Sequence, residues 1–301
     1  MKKIAKSVRV SMMFLAIGLI SSSTLQACKS DDNDPKPHEP APLQLQVITA
    51  SPEGFQVNST LITGEKDAVL IDAQFTISDA DKLVKIIQDT KKNLTTIYIT
   101  HSHADHYFGL VQLKKAFPNA KIVALAATVA DIQKKWKDQL AQWQPLFGDG
   151  ITANPIIPDV LTGTTLTLEN ETFQITGGLQ GDEAGNSYVW IPSLKAVVCG
   201  DTNYNGVFPW TIETTPEQRK GWISTINTIA ALKPALVVAG HKNPTAKDDA
   251  ASLDLTKGYL AFYDSVLPTA TSSADFQTKI KAQYPNLQLP IILQLAADAA
   301  F

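Results

Sequence analysis

The sequence predicts an α/β fold, a sandwich of two similar halves in which strands are followed by helices. Strand-like runs give way to a helical apolar period once in each half of the chain, the order expected of two stacked α/β layers. The size also fits: removal of residues 1–27 leaves 274 of the 301 residues, enough for one large domain with a sizeable core. A chemical observation then places the site. The run His101-Ser102-His103-Ala104-Asp105-His106 follows directly on an apolar strand-like run, so polar groups gather where a strand hands over to a helix.

The first residues are set apart from this domain. A basic start (Lys2, Lys3, Lys6), a short apolar stretch from Met12 to Ile20 and small residues before Cys28 describe a secretory signal over 1–27, too short for a spanning helix. Leu25-Gln26-Ala27-Cys28 resembles a bacterial lipoprotein box. That resemblance implies lipidation of Cys28 and an exported lipoprotein anchored in a bacterial membrane, on its periplasmic or cell-surface side. An ordinary signal peptide with a chance cysteine is the alternative. Residues 28–42, polar and rich in Asp and Pro, read as a flexible tether. The net charge of −3 becomes −7 once the four cations Lys2, Lys3, Lys6 and Arg9 are removed. A mildly acidic chain without basic runs excludes nucleic acid as the expected partner. Apart from Cys28 the chain has only Cys199, so no internal disulfide forms. Cys199 ends the apolar run Ala196-Val197-Val198 and is expected to pack as a small hydrophobe; a ligand role is the alternative.

The elements of 43–301 follow in order. Strand-like segments cover 43–48, 55–62 and 68–71, and Asp72 ends the third as either a turn residue or a support to the site. Leu83, Ile86 and Ile87 mark a helix. Ile97–Thr100 reads as a buried strand, and Asp105-His106 open a helical pattern continued by Phe108, Leu110, Val111, Leu113 and Phe117. A strand at 122–125 precedes a long amphipathic segment with Ile132, Trp136, Leu140, Trp143 and Phe147 at helical spacing, interrupted by Pro145 and Gly148. That helix either walls a substrate pocket or simply covers the sandwich. A hairpin turning at Glu169-Asn170 opens the second half, and strands at 187–191 and 196–199 turn at Pro192-Ser193. Thr215-Pro216-Glu217-Gln218 is a helix start with a Thr cap, Pro in the first turn and Gln three residues after the cap. The strand at Val237-Val238 leads to His241. A helix over about 249–267 and a helical extension over about 268–301 close the chain.

Three of the five histidines lie in the 101–106 run. Imidazole and carboxylate are the usual ligands of zinc, iron and manganese. His101 and His103 leave a strand two residues apart and so point the same way, while Asp105 and His106 at a helix start can face a second metal beside the first.

This run resembles the signature of the metallo-β-lactamase fold superfamily. So do Gly181-Asp182-Glu183-Ala184-Gly185-Asn186, Val197-Val198-Cys199-Gly200-Asp201 and Val237-Val238-Ala239-Gly240-His241, in the family's order. The segments around Tyr204-Asn205-Gly206 and His241-Lys242-Asn243-Pro244 look like a glyoxylase-like branch of metal-dependent hydrolases. The resemblance implies a four-layer αββα sandwich with two divalent metal ions at one edge, zinc first, with manganese or iron as alternatives. It implies a first site of His101, His103 and Asp182 and a second of Asp105, His106 and His241, with Asp201 bridging. One departure stands out: the family's third motif usually places His where this chain has Asp182. No spare histidine fills that position, since His38 lies in the tether. Asp182 would make the bound metal a weaker Lewis acid; Glu183 and Gln180 are neighbouring alternatives.

The implied activity is hydrolysis of a small-molecule ester, lactone, thioester or related amide by a hydroxide bridging two metals, which lower the pKa of water from 15.7 to about 7. Asp105 would orient or deprotonate the nucleophile. Tyr204 would donate to a substrate oxygen, and Phe208 and Trp210 would form an apolar wall, unless these aromatics only pin their loop. Two rival readings are a mono-iron dioxygenase on the same fold and a lipid-anchored binding protein whose altered first site has lost catalysis. The substrate, the native metal and the oligomeric state are not specified by the sequence.

Overall fold

The computed structural model describes residues 42–301. The expected signal, Cys28 and the tether up to residue 41 lie outside the described residues. The first half runs β1 (Gln44–Thr49), β2 (Asn58–Thr63), β3 (Asp67–Ile71), α1 (Ile77–Asp89), β4 (Asn93–Ile99), α2 (Ala104–Tyr107), α3 (Leu110–Ala116), β5 (Lys121–Ala124), α4 (Ala126–Phe147) and β6 (Asp159–Val160). The second runs β7 (Thr165–Leu168), β8 (Glu171–Gln180), β9 (Ala184–Ile191), β10 (Ala196–Val198), β11 (Tyr204–Asn205), α5 (Pro216–Ala231), β12 (Leu236–Val238), β13 (His241–Lys242), α6 (Ala251–Val266), α7 (Ser273–Gln283) and α8 (Pro290–Ala300).

Strands β1 to β6 form one sheet in sequence order, antiparallel through β3 and parallel from β3 to β6. The second sheet has the order β12-β10-β9-β8-β7, with β10 and β12 parallel. Both sheets are covered on both faces, and strand alternation shows how. In β3, Ala68 and Leu70 join a core with Leu83 and Ile87 of α1 and Leu113 of α3, while Val69 and Ile71 join a core shared with Phe173, Val189 and Val198 of the other sheet. In β10, Ala196 and Val198 face that middle core, and Val197 packs with Trp222 and Ile226 of α5 and with Leu260 of α6. Three apolar cores therefore separate four layers, helix, sheet, sheet, helix, and the expected αββα sandwich is the one observed. The C-terminal extension is part of the outermost core: Phe276 and Ile280 of α7 and Leu293 and Ala297 of α8 are buried in it.

Helix starts follow the capping rules. Thr215 accepts from the backbone of Gln218 while the Gln218 side chain accepts from the Thr215 backbone, a complete capping box at α5. Thr76 caps α1 through the backbone of Asp79.

Three expectations need correction, and one element was not expected. The helix expected from Asp105 through Phe117 is split into α2 and α3. Its backbone meets the Asp72–Gln74 segment: Ala73 N donates to His106 O at 2.7 Å and Gly109 N to Gln74 O at 2.9 Å. A Cβ on Gly109 would lie 2.0 Å from Ala73 O, so only glycine allows the approach. Pro145 does not interrupt the long helix, which runs through it and ends at Gly148 with φ +51°. The expected strand at 55–62 begins only at Asn58, because Phe55 and Gln56 adopt left-handed φ values of 56° and 52° after a 3-10 turn. Strand β6 had no local signal: it is two exposed residues, paired with β5.

Candidate metal centre

The chain turns that end β3, β4, β8 and β10, together with the segment after β12, converge at one edge of the sandwich. His101 follows β4, and His103 is the N-cap of α2, with φ −75° and ψ 140°. Asp105 and His106 sit on α2 itself. Asp182 lies in the turn between β8 and β9. Asp201 lies in a 3-10 turn directly after Gly200, whose φ is +51°. His241 starts β13, which pairs in parallel with β11 so that Tyr204 and His241 are register partners. Their rings stack at 5.2 Å with planes 3° apart.

The side chains singled out by sequence for this region come together as follows. Ligand-capable atoms of His101, His103, Asp182 and Asp201 all lie within 4.8 Å of one another, and those of Asp105, His106 and His241 form a second such group. The Asp201 carboxylate lies between them. Its Oδ1 is 3.1 Å from His106 Nε2, and its Oδ2 is 3.1 Å from His241 Nε2 and 3.8 Å from His101 Nε2. Asp182 Oδ2 is 2.9 Å from His103 Nδ1, and Asp105 Oδ2 is 3.2 Å from His241 Nε2. Phe208 and Trp210 line the adjoining pocket. Of the alternatives for the first group, Glu183 is engaged by Ser102 and Lys135, and Gln180 donates to Gly181 O. Cys199 is fully buried in the outer core, and burial pushes its thiol pKa up; it belongs to neither group.

Each imidazole has one nitrogen tied to an oxygen, which leaves the other for the cluster. His106 Nδ1 meets Asp72 Oδ2 at 2.8 Å, His241 Nδ1 meets Phe55 O at 2.7 Å, His101 Nδ1 meets Thr100 Oγ1 at 3.0 Å, and His103 Nε2 meets Glu213 Oε1 at 3.2 Å. Such partners fix the tautomer and aim of metal-ligating histidines. Asp72 answers the question left open by sequence on both counts. It has φ +62° as a turn residue, and its carboxylate also accepts from Thr100 N and Thr100 Oγ1.

The residues fit a divalent metal pair. His101 Nε2, His106 Nε2 and Asp201 Oδ1 are buried and make no well-directed hydrogen bond, the latter two facing each other at 3.1 Å. An orphaned buried polar atom costs about 1–3 kcal/mol, and coordination to a cation would relieve that cost. The electrostatics agree. Burial resists charge on Asp201, but His241, His106 and His101 hold its pKa well below the usual carboxylate range. Burial opposes charge on His241, yet Asp201 and Asp105 push it up to about 10. Asp182 moves the other way: burial, with Asp201 and Glu183 adding to it, raises its pKa to about 7 against the pull of His103. Asp182 is held in place at its other oxygen, where Oδ1 accepts from Glu183 N at 2.8 Å and Asn186 Nδ2 at 3.0 Å.

Tyr204 lines the pocket beside Phe208 and Trp210, and its hydroxyl is engaged there. Its hydroxyl donates to Asp201 Oδ2 at 2.5 Å and lies 3.1 Å from Asp182 Oδ2, and the residue is buried. It therefore links two candidate ligands while also lining the pocket.

The pocket over the centre encloses about 570 Å3, mouth included. Trp143 and Gln139 of α4 line it, so the long helix both covers the sandwich and walls the pocket. Sequence reasoning missed Phe55, Glu213, Leu289 and Ile292, which also line it. Leu289 and Ile292 come from the C-terminal extension, and no local pattern marks a tail residue as a site wall. The only available cue to Glu213 was its position two residues before the Thr215 cap, three residues after Trp210.

Comparison with known proteins agrees with this geometry. The family described as "Metallo-beta-lactamase superfamily" matches residues 52–241. A hydroxyacylglutathione hydrolase of Photobacterium profundum is 28% identical over 155 residues, 51% of this chain and 50% of that protein. One of Salmonella gallinarum is 26% identical over 236 residues, 78% of this chain and 76% of that protein. The chain thus spans about half the length of some curated relatives it matches and about three quarters of others. Among solved structures, a metallo-beta-lactamase family protein from Thermus thermophilus superposes with a TM-score of 0.63 at 17% identity, covering 85% of this chain and 91% of that one.

Proposed function

The chain belongs to the metallo-beta-lactamase superfamily, and from that premise we propose that it is a metal-dependent hydrolase cleaving a small ester, lactone, thioester or related amide at a dinuclear centre. The observation that carries this reading is the convergence of His101 Nε2, His106 Nε2 and Asp201 Oδ1, all buried and without a well-directed hydrogen bond. Relatives named hydroxyacylglutathione hydrolases support the hydrolytic class. His101, His103 and Asp182 would hold one divalent ion, and Asp105, His106 and His241 the other, with Asp201 between them. Zinc suits the imidazoles, and the added carboxylate of Asp182 also admits manganese or iron. When bound, the pair supplies Lewis acidity towards a carbonyl and lowers the pKa of water.

The chain's own residues do the rest. Asp105 has the most exposed of the three carboxylates, 16% against 0% for Asp182 and 2% for Asp201. All three line the pocket, and Asp105 is the one most open to an attacking water. Burial resists its ionisation, but His106 and His241 lower its pKa, so it is available as a base. It takes a proton from the attacking water and passes it to the leaving group. Tyr204 positions Asp182 and Asp201 through its hydroxyl. Phe55, Trp143, Phe208 and Trp210 exclude water from the carbonyl.

The same proposal places the protein outside the cytoplasm, tethered through a lipidated Cys28. Its support is the basic start, the apolar stretch and the Leu25-Gln26-Ala27-Cys28 ending; labelling with a radioactive fatty acid, lost in Cys28→Ala, would check it.

The test of function is a hydrolysis screen over lactones, aryl esters, thioesters and β-lactams with protein reconstituted in zinc, manganese or iron. At least one class is turned over, and Asp105→Asn lowers kcat by about 10²–10⁴-fold. Absence of turnover with every metal, or an Asp105→Asn variant as active as the parent, contradicts the reading.

A further inference from the structure

The pocket wall has a definite chemistry of its own. Phe55, Trp143, Phe208, Trp210, Leu289 and Ile292 supply its large apolar side chains, from the segment before β2, from α4, from the loop after β11 and from the start of α8. The rings are arranged as one aromatic face, with Phe55 5.1 Å from Trp143 and Trp143 6.3 Å from Trp210. Trp210 is held by its indole N–H, which donates to Glu213 Oε1 at 3.2 Å. The neutral polar groups on the wall include the amides of Gln139 and Gln142 and the Tyr204 phenol.

Among the described residues lining this pocket, none is Lys or Arg. A nearby ammonium group, that of Lys135, is already matched: its Nζ is 2.5 Å from Glu183 Oε2 and 3.4 Å from Ser102 Oγ. The wall does carry an anion, the carboxylate of Glu213. With metal bound, Asp182 would add a carboxylate charge to the first site and leave the centre less positive than one with a third neutral imidazole there. A substrate carboxylate brought into this pocket would lose water and meet aromatic faces and carboxylates, with no cation on the wall to replace its hydration.

We infer that the substrate is a neutral carbonyl compound bearing an apolar or aromatic group, and that carboxylate-bearing thioesters such as those of glutathione are disfavoured. This rests on the hydrolase reading and narrows it. The reaction adds water across the acyl bond: the acyl carbon gains the oxygen of water and its bond to the alcohol or thiol breaks. The leaving atom takes the proton passed on from the attacking water.

The experiment compares two thioesters with the same lactoyl group, one of glutathione and one of N-acetylcysteamine, on metal-loaded protein. The acyl group and the reacting bond are identical, and only the glutathione thioester carries carboxylates. The expected result is a kcat/KM about ten-fold or more higher for the neutral thioester, with Gln142→Arg shifting the ratio towards the glutathione thioester. Equal values, or a preference for glutathione, overturn the inference. In parallel, tryptophan fluorescence follows binding of the non-hydrolysable thioethers S-hexyl-N-acetylcysteamine and S-hexylglutathione to metal-free and loaded protein. The neutral thioether binds more tightly if the inference holds; tighter or equal binding of S-hexylglutathione overturns it. If neither thioester is cleaved while the binding preference is the expected one, the hydrolase reading loses support and the pocket assignment stands.

Discussion

Tyr204 shows how a single hydroxyl can organise a candidate metal centre to which it contributes no ligand. It is buried, stacked on His241 and hydrogen-bonded to Asp201, with Asp182 Oδ2 also in reach. Burial, with Asp182 and Asp201 beside it, drives its pKa well above the usual phenol value, so it remains a donor throughout the accessible pH range. Removing such a supporting hydrogen bond typically costs about 10–100-fold in metal affinity. Tyr204→Phe should therefore weaken zinc binding by that order in a chelator competition, with the fold intact by circular dichroism. Unchanged affinity would reduce the residue to a packing role. Much at this scale was legible in the sequence: the seven candidate ligands were all named from four short motifs, and the structure brings all seven together. Tyr204's partners were not, because a hydroxyl's choice between a substrate and a neighbouring carboxylate depends on a separation set by the β11–β13 pairing, which no local pattern encodes.

The elements carry the site by passing very close to one another. A Cβ on Gly240 would fall 1.9 Å from Asp201 Oδ1 and 2.7 Å from the Gly200 backbone. Gly240→Ala should therefore push the Asp201 carboxylate out of place. Its expected signature is a lower metal content together with a thermal midpoint below that of the parent; retention of both would show that the loop after β12 can yield. Helix α1 offers a pH test away from the centre. Asp79 accepts from Ser51 Oγ at 2.7 Å, Thr76 Oγ1 at 2.9 Å and Lys82 Nζ at 3.0 Å. Burial resists its ionisation, yet these partners lower its pKa below the ordinary 3.8. A carboxylate with a depressed folded pKa contributes stability that is present above its unfolded value and is lost as pH falls through the folded one. The difference in urea stability between the parent and Asp79→Asn should thus be clear at pH 7 and shrink below pH 3.8; a difference independent of pH would contradict this. Most elements were readable from period and caps, as at Thr215. The split between α2 and α3 was not, because it is imposed by backbone contacts from Ala73 and Gln74, distant in sequence.

At the scale of the whole molecule, the four layers place candidate ligands from both halves on one edge. His101, His103, Asp105 and His106 come from the first half, and Asp182, Asp201 and His241 from the second. Metal binding should therefore tie the halves together, since a ligand that binds only the folded chain stabilises it by mass action. The repeated order of strands and helices made a two-layered α/β sandwich legible, and the family resemblance implied its four-layer αββα form. The pocket's far wall was not, because α8 reaches it only through packing in the outer core. The most direct measurement of the central claim is elemental analysis of protein reconstituted with zinc and freed of excess metal, beside Asp201→Ala prepared identically. A centre bridged by Asp201 predicts two zinc ions per chain in the parent and a marked loss in the variant. One zinc or fewer in the parent, or an unchanged content in Asp201→Ala, would contradict it.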